Sequence, residues 1–393
     1  MNKFLCDNAA ALEQGAIRVM FEKAKHYPDS INLGIGEPSA TTPAPIIEAA
    51  FDAVRGGYTH YTPNAGVLEV RQQAAAYLAR YGINRNPANE VIITCGGMGS
   101  VSMALLCAIS KGTGVLIQDP QWLNYAAQIR FMGGVPQPVR VDEANGFNLQ
   151  AADVEAAITP ETKILILNSP NNPTGAVTDR KTLQELTEVA IRHDLLVISD
   201  EVYCELLYDG IVHQSIATLP GMAERTVIIN SLSKTFAMTG WRVGFAAGPA
   251  HFITKMVYLQ ENLVSCAATP GQYGAAYALR TMCGIEEMRA QYQWRRDMLV
   301  DALTHMPGIT CPRPQGAFYA FPNIKGTGLT STEVANLLLE EAGVVTVPGN
   351  AFGQGGEGYL RVSYAVSDEL LEKAIQRMGW CLTNRYSVKK EAT

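Results

Sequence analysis

The stretch TVIINSLSKTFAMTGWR, residues 226–242, runs from an apolar β-branched core, Val227-Ile228-Ile229, into a segment that collects serines, threonines, a lysine and an arginine. An apolar run cut short by small polar residues reads as a buried strand passing into a loop. In open α/β sheets the carboxyl ends of strands are where ligands bind. Position alone therefore makes Lys234 a candidate site residue.

The same alternation extends outward from this stretch. VIIT (91–94), a helix over 100–109, VLIQ (115–118), a helix near 125–131 and KILILN (163–168) precede it. A Pro/Asn/Gly loop then leads to a helix over 179–192, whose Leu183, Leu186 and Val189 recur at helical spacing, and to LLVIS (195–199). Near-continuous apolar strands separated by helices predict a mainly parallel sheet covered on both faces. A large α/β domain is expected over 46–285. Beyond it a charged helical pattern, 286–306, is followed by GAFYAF (316–321) and YLRVSYA (359–365), whose alternation predicts half-buried strands. A smaller α+β domain built from 1–45 and 286–393 is the expectation.

Composition narrows the function. The 393 residues are 47% hydrophobic and 17% charged, which suits a soluble globular protein and not a disordered chain. A net charge of -6 offers no footprint for nucleic acid or an anionic membrane surface. The start, MNKFLCDNAAALEQ, lacks the apolar centre of a signal peptide, and the longest apolar stretch, Met103 to Ile109, is too short to span a bilayer. Eight scattered cysteines without a CxxC pair read as reduced core residues, and a cytoplasmic location is expected. The six histidines show no metal-ligand spacing, so no metal is expected, and no GxSxG elbow exists.

Three strand ends carry polar groups that would converge over one crevice: Asn168 with the loop SPNNPTG (169–175), Asp200 with Glu201 and Tyr203, and Ser231 with Ser233 and Lys234. A lone aspartate there more often caps the next helix. In this company it points to a ligand. Pyridoxal phosphate needs such a set: a lysine for a Schiff base with its aldehyde, a carboxylate to keep the pyridine nitrogen protonated, and hydroxyls, backbone N–H groups and an arginine fork for its phosphate.

Several motifs in order carry a resemblance over almost the whole chain: LGIGEPSATTP (33–43), GYTHYTPNAG (57–66), NSPNNPTGAV (168–177), SDEVY (199–203), SLSKTFAMTGWRVGF (231–245), PQGAFYAFP (314–322) and YLRVSYA. The chain resembles the fold-type I pyridoxal-phosphate aminotransferases of the aspartate aminotransferase class I family, nearest to the archaeal-type aromatic and aspartate aminotransferases. The resemblance implies a seven-stranded sheet in the large domain, Lys234 as the Schiff-base lysine and Asp200 as the partner of the pyridine nitrogen. Asn172 and Tyr203 would bond the ring's 3-oxygen, and Trp122 would stack on the ring. Ser231, Ser233, Arg242 and the N–H groups of Gly97 and Met98 would bind the phosphate. Tyr61 would reach the phosphate of the neighbouring subunit of a homodimer with shared active sites. Arg361, on one strand face with Tyr359 and Ser363, would grip the substrate's α-carboxylate with Gly36 and Asn172.

The function so implied is ping-pong transfer of an amino group from an L-amino acid to a 2-oxo acid such as 2-oxoglutarate. The Lys234 amine, its pKa lowered by a cationic neighbourhood, would move the α-proton. A carbon–sulfur β-lyase on the same fold is the alternative. A non-catalytic pyridoxal-phosphate-binding regulator would need a DNA-binding extension for which the chain has neither room nor charge. A nicotinamide dehydrogenase is suggested only by VIITCGGMGSVS, where Ser102 stands at the third glycine position. Aspartate-type relatives that place a lysine near Met98 select dicarboxylates with it, and this chain has none, which leaves side-chain specificity open.

Overall fold

Seven strands pair in one sheet: β1 (Val91–Thr94), β2 (Gly114–Asp119), β3 (Val135–Arg140), β4 (Thr162–Asn168), β5 (Leu196–Asp200), β6 (Thr226–Ser231) and β7 (Gly244–Ala247). The structure, a computed structural model, describes residues 4–391 and the surroundings of side chains as far as Asn384. The strand order is β1-β7-β6-β5-β4-β2-β3. β7 runs antiparallel to both its neighbours, and the other pairs are parallel.

Period-two alternation explains why these runs are apolar throughout. Leu165 and Leu167 of β4 enter one core with Leu183, Leu186 and Val189 of the helix Arg180–Arg192. Ile164 and Ile166 point the other way, to a second core with Val101, Ala104 and Leu105 of the helix Gly96–Ala108. Asp179 starts the first of these helices as an N-cap, accepting from the Thr182 N–H at 2.7 Å.

The predicted strands and helices are present, though of GAFYAF only Tyr319–Ala320 is strand. The helix expected from residue 100 begins at Gly96, because the glycines allow a tight turn directly after β1. Gly96 has φ +76°, and a Cβ on Gly244 of β7 would lie 2.7 Å from the Gly96 carbonyl carbon and the Gly97 nitrogen, so only glycines let the helix start press onto the sheet. β3, unforeseen, is an edge strand that pairs with β2 alone; Pro136 and Pro138 are tolerated there because an edge needs fewer donors.

The remaining chain forms a second layer. Leu360–Ser363 lies antiparallel between Val347–Pro348 and Tyr319–Ala320, and Ile31–Asn32 pairs in parallel with Val344–Val345. These strands were expected to be half-buried, but every residue of Tyr319–Ala320 and Leu360–Ser363 is buried. On one side Leu360 and Val362 join a core with Leu299 and Leu303 of the helix Ile285–Thr304, Val334 and Leu338 of Ser331–Ala342, and Leu371 and Ala374 of Asp368–Glu391. Arg361, between them, belongs to the cavity described below. The eight cysteines are all free, yet only Cys204, Cys311 and Cys381 are buried and Cys6 is exposed, which corrects the expectation that they are core residues. Among the described residues no helix is long and apolar enough to cross a membrane, and no His/Cys/Asp/Glu cluster could hold a metal.

Candidate active site

Ser231 ends β6 and caps the single helical turn Leu232–Thr235, its hydroxyl accepting from the Ser233 N–H at 3.2 Å. That turn carries Lys234 off the sheet, and the lysine Nζ donates to the Gly36 carbonyl at 2.6 Å. Burial pulls the Lys234 pKa down to about 8. The cations Arg361 and Arg242 add to this and the Glu37 carboxylate opposes it. The predicted lowering is present, but its main cause is desolvation and not the cationic neighbourhood.

Asp200 ends β5, in register with Asn168 of β4 and Ile229 of β6. Its Oδ2 accepts from the Tyr125 hydroxyl at 2.5 Å and its Oδ1 from the Val202 N–H at 3.3 Å. Burial raises its pKa to about 6, against the lowering effect of those two bonds. Beyond β4 the loop folds back, with the Asn172 N–H donating to Asn168 Oδ1 at 3.0 Å. Tyr203 follows β5 and pairs with Tyr319, hydroxyl to hydroxyl at 3.0 Å. Burial pushes the Tyr203 phenol well above its usual pKa, so it stays a proton donor.

Arg361 is 1% exposed and lies between the rings of Tyr319 and Phe352, 4.5 and 4.9 Å from their centroids. It donates to Asn172 Oδ1 at 3.1 Å and to the Gly34 carbonyl at 2.6 Å, while its Nε–H is buried without a partner. None of the ion pairs among the described residues includes it. A buried guanidinium with an idle donor and no carboxylate is costly unless an anion arrives.

These groups line one cavity of about 280 Å³. Gly36, Gly97, Met98, Trp122, Asn172, Asp200, Tyr203, Ser231, Ser233, Lys234, Arg242 and Arg361 all contribute to it, as the sequence reading expects. Tyr61 does not: it is 87% exposed and lies beside Thr59, His60 and Cys266 in a separate surface depression. Further wall residues escaped the sequence reading, namely Ile17, Phe21, Tyr125, Val202 and Tyr319. Tyr125 left one usable signal, because it lies one helical turn from Trp122 in DPQWLNY; the rings meet edge-to-face at 5.3 Å. Ile17 and Phe21, on the helix Ala16–Ala24, left none.

The geometry is matched by similarity to known proteins. The family model for aminotransferases of class I and II matches residues 28–378. Aromatic-amino-acid aminotransferase 2 of Thermococcus litoralis and an aspartate aminotransferase of Pyrococcus abyssi are each 45% identical over 378 residues, covering 95% of this chain and 97% of the relative. Among solved structures, the aromatic aminotransferase of Pyrococcus horikoshii is 44% identical and superposes with a TM-score of 0.89 over 93% of this chain and 99% of its own. The aspartate aminotransferase of Thermus thermophilus with maleate is 36% identical, with a TM-score of 0.92 over 97% and 100% of the two chains.

Proposed function

From the premise that the chain belongs to the class I and II aminotransferases, which use pyridoxal phosphate, we propose that its central cavity holds that cofactor on Lys234 and Asp200 and passes an amino group from an L-amino acid to a 2-oxo acid. The observation that carries the reading is Arg361: a buried cation with an unused Nε–H, aimed into the same cavity as a lysine whose pKa is brought down to about 8.

The residues fit the cofactor. Gly96 and Gly97 open the helix Gly96–Ala108 with no side chain, and a Cβ on Gly96 would come within 2.6 Å of Arg242 Nη2, so an anion there meets N–H groups, the helix dipole and a guanidinium together. Ser231 and Ser233 add hydroxyls. Asp200 would hold a proton on the ring nitrogen, and Asn172 and Tyr203 would bond the ring oxygen beside Lys234. Trp122 would cover the ring face. When bound, pyridoxal phosphate supplies an electron sink for the charge left on a substrate's α-carbon.

The protein's own contribution is binding, orientation and proton transfer. Arg361 grips the α-carboxylate with its planar fork, helped by Asn172 and the Gly36 backbone, and Tyr319 and Phe352 keep the fork from turning. With its pKa brought down to about 8, Lys234 has a neutral fraction near neutral pH whose Nζ would take the proton from the substrate's α-carbon and return it to the cofactor's C4′ carbon, a double duty for which an exposed lysine has far too little neutral amine. The cations on the cavity wall are Lys234, Arg242 and Arg361, each with a task already, while Ile17, Phe21 and Met98 are apolar. This supports donors with apolar or aromatic side chains over dicarboxylates.

The wider organisation is proposed on the same basis: residues 46–285 as the cofactor-binding unit, residues 1–45 and 286–393 as the unit that closes over substrate, a homodimer in which Tyr61 serves the neighbouring site, and a cytoplasmic location. The experiment is a panel of amino donors with 2-oxoglutarate, following the spectrum of the bound cofactor and the oxo acid formed. Stoichiometric oxo acid and glutamate support transfer. Pyruvate with ammonia or sulfide would overturn it in favour of a lyase.

A further inference from the structure

We propose that Tyr125 is a positioning residue for the reaction: its phenol fixes the orientation of the Asp200 carboxylate and keeps it charged, ready to hold a proton on the cofactor's ring nitrogen. The proposal rests on the reading of Asp200 given above.

Asp200 is 4% exposed and Tyr125 3%. No ion pair among the described residues involves Asp200, so no cation among them compensates its burial by direct contact. Its support consists of two donors, the Tyr125 hydroxyl at 2.5 Å and the longer Val202 N–H at 3.3 Å. They take one oxygen each, which stops the carboxylate from turning and leaves lone pairs on both oxygens for a third donor. A short bond from a neutral donor to a carboxylate is among the stronger hydrogen bonds in a protein interior.

The electrostatics agree. Burial alone drives Asp200 towards the neutral acid, and the Tyr125 bond is the largest effect pulling it back. The other ionisable groups whose fields reach the pair are Glu201, which opposes the charge on Asp200, and Tyr203. Burial and the nearby Asp200 charge raise the Tyr125 phenol well above its usual pKa, so it remains a donor across the working range. Tyr125 is itself held: its ring sits edge-on to Trp122 at 5.3 Å, on the helix Asn124–Phe131. The packing that places an aromatic on the cofactor face thus also places the donor on the carboxylate.

If Tyr125 merely filled the core, phenylalanine would serve as well. The test is Tyr125→Phe in the full-length protein, with two readouts. The Asp200 carboxyl, followed by ¹³C NMR of the cofactor-free protein, should titrate with a midpoint about one pH unit above wild type, which makes it about a tenfold weaker acid. Affinity for pyridoxal phosphate and kcat should each fall about tenfold, with KM for the amino donor unchanged. An unmoved titration midpoint together with wild-type affinity and kcat would overturn the proposal. Asp200→Asn separates the two levels: full turnover in that variant sinks the assignment of Asp200 itself, whereas loss of turnover there with an unaffected Tyr125→Phe sinks only the role of Tyr125.

Discussion

Lys234 Nζ and the Gly36 carbonyl oxygen are joined by a 2.6 Å hydrogen bond, so the lysine delivered by the turn after β6 is tied to the N-terminal segment on the far wall of the cavity. The bond crosses between the parts of the chain proposed to move against each other when substrate is enclosed. It also fixes an amine that lines the same cavity as Asp200, Tyr203 and Arg361.

A first prediction concerns that amine. Only the neutral form attacks an aldehyde, and the folded protein holds Lys234 at about 8 where an exposed lysine stands at 10.5. The rate at which the cofactor-free protein takes up pyridoxal phosphate should therefore climb with pH and level off above about 8. Stopped-flow absorbance measures it. A rate still climbing at pH 10 would show an ordinary lysine. Lys234→Ala should take up no colour that borohydride can fix, and should lose nearly all turnover.

Asp200 leads to a stability prediction with a definite sign. Its folded value of about 6 lies above the usual 3.8, so the folded cofactor-free protein binds that proton more tightly than the unfolded chain. The stabilisation is complete below about pH 4 and is lost as pH rises through about 6. The displacement corresponds to ~3 kcal/mol. Cofactor-free Asp200→Asn should accordingly melt above wild type at pH 7, with the gap closing towards pH 4, while its holoenzyme loses several orders of magnitude in kcat because an amide cannot stabilise a cationic ring. Equal melting temperatures across that range would contradict the burial argument.

Arg361→Lys should separate binding from cofactor chemistry. An ammonium keeps the charge and loses the planar pair of N–H groups and the stack between Tyr319 and Phe352. KM for amino and oxo acids should rise about 10- to 100-fold, the range expected for one lost charge-assisted bond. The spectrum of the bound cofactor should not change. An unaltered KM would mean that Arg361 does not meet the carboxylate.

What could be read from sequence follows a physical divide. Lys234, Asp200 and Asn168 were legible because each sits at or just past the end of an apolar strand that fixes its place, so local pattern and tertiary position coincide. Arg361 and the phosphate-side glycines were legible through resemblance. Tyr125 and Tyr319 were not, since Tyr125 lies in the first turn of a helix and Tyr319 opens a two-residue strand, and each reaches the cavity only because of how its element packs. Ile17 and Phe21 arrive from a helix near the start of the chain, more than two hundred residues from Lys234, a proximity that no periodicity encodes. β3 was missed for a local reason: its two prolines argue against a strand everywhere except at an edge.

Tyr61 provides the last prediction, because its position is the one expected of a residue that works in trans. It is 87% exposed and outside its own chain's cavity. Tyr58, three residues earlier, is exposed as well. If Tyr61 completes the neighbouring phosphate site, Tyr61→Ala should weaken cofactor binding about tenfold, the range for one hydrogen bond to a charged group. Mixing then discriminates. In a heterodimer of Tyr61→Ala and Lys234→Ala chains, one site carries both lesions and the other carries neither. Random reassembly of equal amounts makes half the dimers mixed, so activity at limiting cofactor should recover to about a quarter of wild type. Were Tyr61 to act in its own subunit, each site of the mixed dimer would keep one lesion and no recovery above the parent variants would appear.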